Sequence, residues 1–227
     1  MPIALGLLAT TVQAQLVNLY TFAQTAGTYT ALSGGTQLIA PNTDDGSASA
    51  TNIGFNFVFN GSTFTQFVAN ANGNMRLGNA APASQYSPIS TVGNTNAISP
   101  MGRDGRAGGG VVYQVQGVSP NQVLVVEWTT FHLTYSNANQ TLDMQVRLYE
   151  GTNVVEFVYG NSLRASSYTG QVGLRGSSAS TDFNNRTTTT NWAATTAGAL
   201  SSAPMPYTTP AYPAVGQPYT WPPPVIP

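Results

Sequence analysis

Aromatic and polar side chains alternate between residues 54 and 67, where the chain reads GFNFVFNGSTFTQF. Because successive side chains of a β-strand point to opposite faces, this pattern gives one aromatic face and one polar face. The Asn60-Gly61 pair in its middle can adopt the positive φ angles of a two-residue type I′ turn. That turn places Phe57 opposite Phe64, so we predict a β-hairpin whose aromatic face lies in a core.

A second hairpin is predicted in MQVRLYEGTNVVEFVYG, residues 144–160. A four-residue loop from Glu150 to Asn153 places Val146 opposite Phe157, on a face that is entirely apolar or aromatic. The same register places Arg147 opposite Glu156 on the other face. Since one register satisfies both a core and an ion pair, the pairing of these strands is well specified.

The same alternation continues along most of the chain. Val, Thr, Tyr and Phe dominate, and Gly, Asn, Ser and Pro interrupt them at the spacing of a sandwich or barrel. We therefore predict an all-β fold, an antiparallel two-sheet β-sandwich of jelly-roll or immunoglobulin-like type, with about ten to twelve strands. Further strands are predicted at residues 16–22, 37–40, 67–77, 111–116, 122–128, 129–134 and 170–176.

The two ends of the chain differ from its middle. The first residues, MPIALGLLATTVQAQ, contain an apolar run too short to span a bilayer and a cleavage-like Val12-Gln13-Ala14. Since a basic segment before this run is missing, residues 1–14 are predicted to be either a signal peptide or a retained N-terminal strand. Residues 15–202 form the predicted sandwich domain. Residues 203–227 are rich in proline, which lacks a backbone donor, so we predict an extended tail at an edge or in polyproline form.

Charge is scarce in this sequence. Only 7% of the residues are charged, all seven cations are Arg, the formal net charge is −1, and there is no Cys. Nucleic-acid binding is not expected, because it needs clustered cations. Disulfides and thiolate metal sites are excluded. A nearly neutral surface also offers little repulsion between copies of the chain, which favours association.

No set of residues indicates an enzyme. His132 is the single histidine, and it lies on a predicted strand without a G-x-S-x-G motif elsewhere, so a Ser-His-Asp triad is not expected. A glycosidase needs two facing carboxylates. Glu127 and Glu156 could meet on one sheet face, but Arg147 already offers Glu156 a partner. We therefore predict a non-enzymatic protein without a cofactor. Calcium is the one ion that the sequence offers candidate ligands for.

Two Gly-rich loops carry the oxygen ligands that Ca²⁺ prefers, PNTDDGSAS at residues 41–49 and GRDGRAGGG at residues 102–110. Asp44 and Asp45 of the first loop are the candidate calcium ligands. The second loop also carries Arg103 and Arg106. Asp-Gly is in addition a common turn sequence, so a plain turn is the alternative for both loops.

Aromatic residues beside Asn-rich loops are candidates for carbohydrate binding. The alternative is that the rings pack beneath the loops. The candidates are Tyr86, Tyr135, Tyr168 and Trp192.

The order of motifs also resembles a known family. IGFNFVFNGSTFTQFVANANGNMRLG is followed by ISPMGRDGRAGGGVVYQVQGVSPNQVLVVEW, then by MQVRLYEGTNVVEFVYG, GQVGLRG and TTTTNW. This resembles the β-sandwich domain of secreted, multidomain surface proteins of Bacteroidota-type bacteria, over about residues 20–221. The resemblance implies export and surface or adhesive roles, with no catalytic residues. Because such proteins continue into further modules, we expect a fragment or a single-domain member.

These observations predict an extracellular or cell-surface structural or adhesive subunit with no membrane span. It would associate with itself or with other surface proteins, as a filament, matrix or adhesin, by strand addition or tail docking. A lectin-like module that binds glycans is the alternative. The residues predicted to make assembly contacts are Leu16, Val17, Tyr219, Trp221, Val225 and Ile226.

Overall fold

The structure, a computed structural model, describes residues 15–83 and 86–225. The predicted signal peptide or N-terminal strand, residues 1–14, lies outside the described residues, as does Ile226. Two antiparallel sheets pack face to face, which confirms the all-β sandwich. The strands are β1 (Thr36–Ile39), β2 (Thr51–Phe59), β3 (Ser62–Ala69), β4 (Met75–Leu77), β5 (Ala97–Gly102), β6 (Arg106–Ala107), β7 (Val111–Gln116), β8 (Val123–His132), β9 (Thr141–Tyr149), β10 (Val155–Leu163), β11 (Tyr168–Arg175), β12 (Phe183–Thr187), β13 (Thr196–Ala197), β14 (Met205–Tyr207) and β15 (Pro218–Trp221).

One sheet has seven strands in the order β1-β7-β8-β9-β10-β15, with β6 beside β8. The other has eight strands in the order β13-β12-β11-β5-β4-β3-β2, with β14 beside β11. Short 3-10 helices occupy Val17–Leu19 and Trp192–Ala194. The fifteen strands of the described residues exceed the predicted ten to twelve, because β5 and β12 lie outside the predicted segments, and so do β6, β13 and β14, which are only two or three residues long.

The core lies between the two sheets and follows the alternation of the sequence. Phe57 and Phe67 of the eight-stranded sheet and Trp128, Val146 and Phe157 of the seven-stranded sheet are fully buried. Burying side chains of this size stabilises a fold by about 1.5–3 kcal/mol each, which is the main force holding the sheets together.

Both predicted hairpins have the predicted register. Phe57 is paired with Phe64, and the turn residues Asn60 and Gly61 have φ angles of 51° and 74°. In the second hairpin Val146 is paired with Phe157. Arg147 and Glu156 face each other across β9 and β10, with 3.3 Å between Nη1 and Oε2.

Two strand predictions were wrong. The segment at residues 16–22 contains a 3-10 helix instead of a strand. The predicted strand at residues 67–77 is broken into β3 and β4 by a turn, because the Oδ1 atom of Asn70 accepts hydrogen bonds from the backbone N–H groups of Asn72 and Asn74. Gly73 completes this turn with a φ of 74°, and a Cβ atom there would lie 2.2 Å from the Met101 carbonyl oxygen.

Residues from the Pro-rich segment form part of the sandwich. β14 pairs with β11, and β15 pairs with β10 as an edge strand. The rings of β15 join a set of packed aromatic residues with centroid separations of 4.7–6.2 Å. This aromatic cluster consists of Phe22, Phe157, Tyr159, Trp192, Tyr219 and Trp221.

Candidate functional site

Three loops meet at one pole of the sandwich, at residues 41–49, 70–74 and 102–110. Backbone bridges join Thr43 to Ala107 and Ser47 to Asn70. The side chain of Asn72 connects all three loops, because its Nδ2 donates to Asp45 Oδ1 at 2.9 Å and its Oδ1 accepts from the Gly105 N–H at 2.8 Å. The two loops predicted to be calcium loops are therefore neighbours in the fold.

Asp44, Asp45 and Asp104 bring their carboxylate oxygens within 4.8 Å of one another at this pole. Burial and the nearby charges of Asp45 and Asp104 raise the pKa of Asp44, while Arg106 lowers it. Three carboxylates at such separations are a ligand set of the kind that hard divalent cations use. Calcium binding by Asp44 and Asp45 stays a prediction, and Asp104 is the residue that would join them.

A cleft of about 290 Å³, which we call the pole cleft, opens beside the three carboxylates. Asp104 is one of the three carboxylates and also one of the residues that line the cleft. The cleft is lined by Tyr86, Ser87, Gly102, Arg103, Asp104, Thr169, Gly170, Gln171, Ser202 and Pro204.

Arg103 forms part of the floor of the pole cleft and is held in one position. Its Nε donates to the Leu133 carbonyl oxygen and its Nη1 donates to the Thr169 carbonyl oxygen at 2.5 Å. Its guanidinium also lies over the ring of Tyr168, 4.4 Å from the ring centroid. Burial lowers the pKa of Arg103, and the charge of Asp104 is among the influences that oppose this shift.

Gln171 fixes another wall of the cleft. Its Oε1 accepts from the backbone N–H groups of Ile89 and Ser90 at 2.8 and 3.2 Å, and its Nε2 donates to Ser90 Oγ at 2.8 Å. Ser99 Oγ donates to the Gln171 carbonyl oxygen at 2.7 Å. The loop that follows Tyr86 is thus bound to β11, which Ser99 in turn connects to β5, so the cleft is largely preformed.

The four aromatic residues predicted to bind ligand have different surroundings. Tyr86 is 53% exposed and lines the pole cleft, and Tyr168 lies half-buried beneath Arg103. Tyr135 is 51% exposed but is not among the residues that line the cleft. Trp192 is buried against Tyr159 and Tyr219, so its ring is not available to a ligand at the surface.

The polar residues considered for catalysis are engaged in hydrogen bonds. Glu127 is buried and accepts from the Tyr29 hydroxyl at 2.5 Å, from the Leu32 N–H at 2.9 Å and from Gln145 Nε2 at 2.9 Å. Glu156 accepts from the Tyr149 hydroxyl at 2.6 Å as well as from Arg147.

His132 Nδ1 lies 3.2 Å from Arg106 Nε. Burial and the charge of Arg106 lower the pKa of His132, which favours the neutral form of its ring.

The predicted assembly residues are mostly buried within the same chain. Val17, Tyr219 and Trp221 have no exposed surface, Leu16 is half-buried, and Val225 is 93% exposed. A bridge between subunits built from Tyr219 and Trp221 would have to remove them from the aromatic cluster.

The comparison with protein families agrees with this architecture. Residues 19–223 match the family model described as NIDO related. The chain belongs to the NIDO-related family. NIDO-related domains are typically extracellular, which agrees with an extracellular β-sandwich module. No curated protein and no solved structure matches this NIDO-related domain.

Within residues 15–83 and 86–225, no helix is both long enough and apolar enough to cross a membrane. The Bacteroidota-type origin implied by the motifs stays a prediction.

Proposed function

We propose that this NIDO-related domain is a non-enzymatic adhesive module that works outside the cell and binds its ligand through the pole cleft. The observation that carries the proposal is the cleft itself, where a half-exposed Tyr86 ring and the Asp104 carboxylate stand beside an immobilised Arg103. Binding sites are concave and use a small number of precisely placed polar groups to orient their ligand. A bacterial cell surface is the setting that the motif order implies.

The non-enzymatic part rests on how the candidate catalytic residues are used. Glu127 secures the segment around Tyr29 and Leu32 to the outer face of the seven-stranded sheet. Glu156 is bound by Arg147 and Tyr149 on the same face. Carboxylates whose oxygens already accept from fixed donors are poorly placed to exchange protons with a substrate.

Strand addition has weaker support than loop-mediated binding, because the sheet edges are short, covered or distorted. β13 has two residues and β1 has four. Ala23 pairs with Thr220 along β15, and the Val58 N–H of β2 donates to Asn153 Oδ1 at 2.8 Å. The pairing of β2 with β3 is also irregular between Asn52 and Phe57. Proteins use these same devices to prevent edge-to-edge association.

Tail docking between subunits also has weaker support than an intramolecular role. β15 is hydrogen-bonded to β10 of its own sandwich, and Tyr219 and Trp221 are fully buried there. We therefore expect the full chain to be a monomer in sedimentation velocity over a wide range of concentrations. A sedimentation coefficient that grows with concentration would favour the predicted self-association instead.

Adhesion of coated beads tests the proposal directly. Beads carrying the full chain are expected to attach to at least one of three layers, mucin, cellulose or gelatin. The double variant Tyr86→Ala/Asp104→Asn should lose this attachment, whereas the matched control Tyr135→Ala should keep it, because Tyr135 is equally exposed but does not line the cleft. Equal attachment of the double variant and the wild type, or no attachment of the wild type to any layer, would contradict the proposal.

A further inference from the structure

We propose that the pole cleft binds a neutral sugar residue, whose ring stacks on Tyr86 and whose hydroxyl groups donate to the Asp104 carboxylate. This inference rests on the proposed function and names the class of its ligand. It follows from the charge of the cleft, the chemistry of its walls and its rigidity.

Charge excludes most other ligands. Among the described residues that line the cleft, Arg103 and Asp104 are the charged ones, and they carry opposite signs. The Arg103 guanidinium is directed to the carbonyl oxygens of Leu133 and Thr169 and stacks on Tyr168, so it is poorly placed to receive an anion. An anionic ligand would also be repelled by Asp104. Within the cleft the charges of Arg103 and Asp104 offset each other, whereas Asp44 and Asp45, which complete the ligand set for a cation, do not line it, so a neutral ligand fits the cleft best.

The walls of the cleft favour a ligand rich in hydroxyl groups. Apart from the Tyr86 ring and Pro204, the side chains that line it are polar, and they include Thr169 and Ser202. An apolar ligand would therefore gain little buried apolar surface. A sugar ring has one face of C–H groups that can lie against Tyr86, and hydroxyl groups on its edge. Hydrogen bonds from hydroxyl groups to an ionised carboxylate are stronger than those between neutral groups.

The size and rigidity of the cleft agree with a small ligand. Its volume of about 290 Å³ lies just below the range of about 300–1,000 Å³ for small-molecule sites. Gln171 and Ser99 hold its walls through hydrogen bonds between β5, β11 and the loop at Ile89 and Ser90. A preformed site loses little conformational entropy on binding, which matters for a ligand with few contacts.

The experiment uses the full chain on an array of neutral and acidic oligosaccharides, followed by titration calorimetry with the methyl glycosides of glucose, galactose, mannose and N-acetylglucosamine. We expect saturable binding of at least one neutral saccharide. Tyr86→Ala and Asp104→Asn should each weaken it about tenfold or more, and Tyr135→Ala should leave it unchanged. The denaturation midpoints of all variants are measured in parallel, because an unfolded variant would lose binding for a trivial reason.

Three results would overturn the inference. They are a preference for acidic saccharides, saturable binding that survives in Tyr86→Ala, and the absence of binding to any saccharide. Comparison with the bead experiment separates the two proposals. If no saccharide binds but the double variant still loses adhesion, the ligand class is wrong and the adhesive role of the cleft stands. If adhesion is unaffected as well, both proposals fail.

Discussion

The aromatic cluster and the pole cleft use the same residue types for different purposes. In the aromatic cluster the Tyr219 ring is fully buried and its hydroxyl donates to the Trp192 carbonyl oxygen at 2.6 Å. In the pole cleft, Tyr86 leaves 53% of its surface exposed beside charged and polar neighbours. A tyrosine buried with its hydroxyl satisfied contributes to stability, whereas an exposed one contributes little to it and is free to contact a ligand. Substitutions in the two regions should therefore affect different measurements.

The largest effect is expected from removing β15. A chain that ends after Gln217 loses an edge strand and the buried Tyr219 and Trp221, so it should no longer unfold cooperatively in a denaturant titration followed by tryptophan fluorescence. A chain that ends after Pro224 is the matched control, since the next residue, Val225, is 93% exposed. If the shorter chain unfolded like the wild type, the aromatic cluster would not be part of the core.

The next largest effect concerns a single ring of the aromatic cluster. Trp221 has no exposed surface and lies 4.7 Å from Phe157 between ring centroids. Trp221→Ala should lower the free energy of unfolding by about 3–5 kcal/mol, because it leaves a large cavity. Tyr86→Ala, at the exposed ring, should change it by less than about 0.5 kcal/mol. Equal losses for the two variants in urea denaturation would remove the distinction between the regions.

A smaller effect is expected from one hydroxyl group. Tyr219→Phe keeps the ring but removes the 2.6 Å hydrogen bond to the Trp192 carbonyl oxygen, which keeps only the longer one from Gln24 Nε2 at 3.5 Å. Because a hydrogen bond contributes about 0.5–1.5 kcal/mol, the free energy of unfolding should fall by that amount. The same change at Tyr135, whose side chain is half-exposed, should have no measurable effect. An unchanged stability of Tyr219→Phe would show that this hydroxyl group does not contribute to the stability of the aromatic cluster.

The smallest effect lies at the three carboxylates of the pole. Burial and the charges of Asp45 and Asp104 raise the pKa of Asp44 in the folded state. The folded protein therefore holds this proton more readily than the unfolded chain, and the stability contributed by the group falls as pH rises through that range. Asp44→Asn should slightly raise the free energy of unfolding at neutral pH. This gain in stability should vanish at pH values well below 3.8, the ordinary pKa of an aspartate.

Salt gives the control for this last prediction. Exposed charges are screened at high ionic strength, so the gain from Asp44→Asn should shrink when salt is added at neutral pH. Denaturation at two pH values and two salt concentrations measures both dependences. A loss of stability at neutral pH would mean that Asp44 makes a favourable contact that outweighs the repulsion.

The local features of the fold were readable from the sequence because alternation fixes them. The pairings of Phe57 with Phe64 and of Val146 with Phe157 depend only on a short turn and on which face is apolar. The 3-10 helix at Val17–Leu19 was missed, since its apolar residues satisfy a strand pattern equally well. What decides that segment is a distant contact, in which the Val17 N–H donates to Asp182 Oδ1 at 3.0 Å.

The candidate site was only partly readable, because it is assembled from distant segments. The sequence identified the loops with Asp44 and Asp104 separately, but not their meeting at one pole. It named Tyr86 and Trp192 together as candidates for ligand binding, although one is half-exposed and the other is buried. Which aromatic residue faces solvent depends on sheet order, and residues far apart in the chain determine that order.

Stability and saccharide binding measured on one variant, Tyr86→Ala, test the separation of the two regions most directly. We expect a denaturation midpoint equal to that of the wild type, together with binding of a neutral saccharide that is weakened about tenfold or more. A variant that binds the saccharide as the wild type does, or one that loses stability to the extent expected for Trp221→Ala, would contradict the assignment of the pole cleft as the binding region.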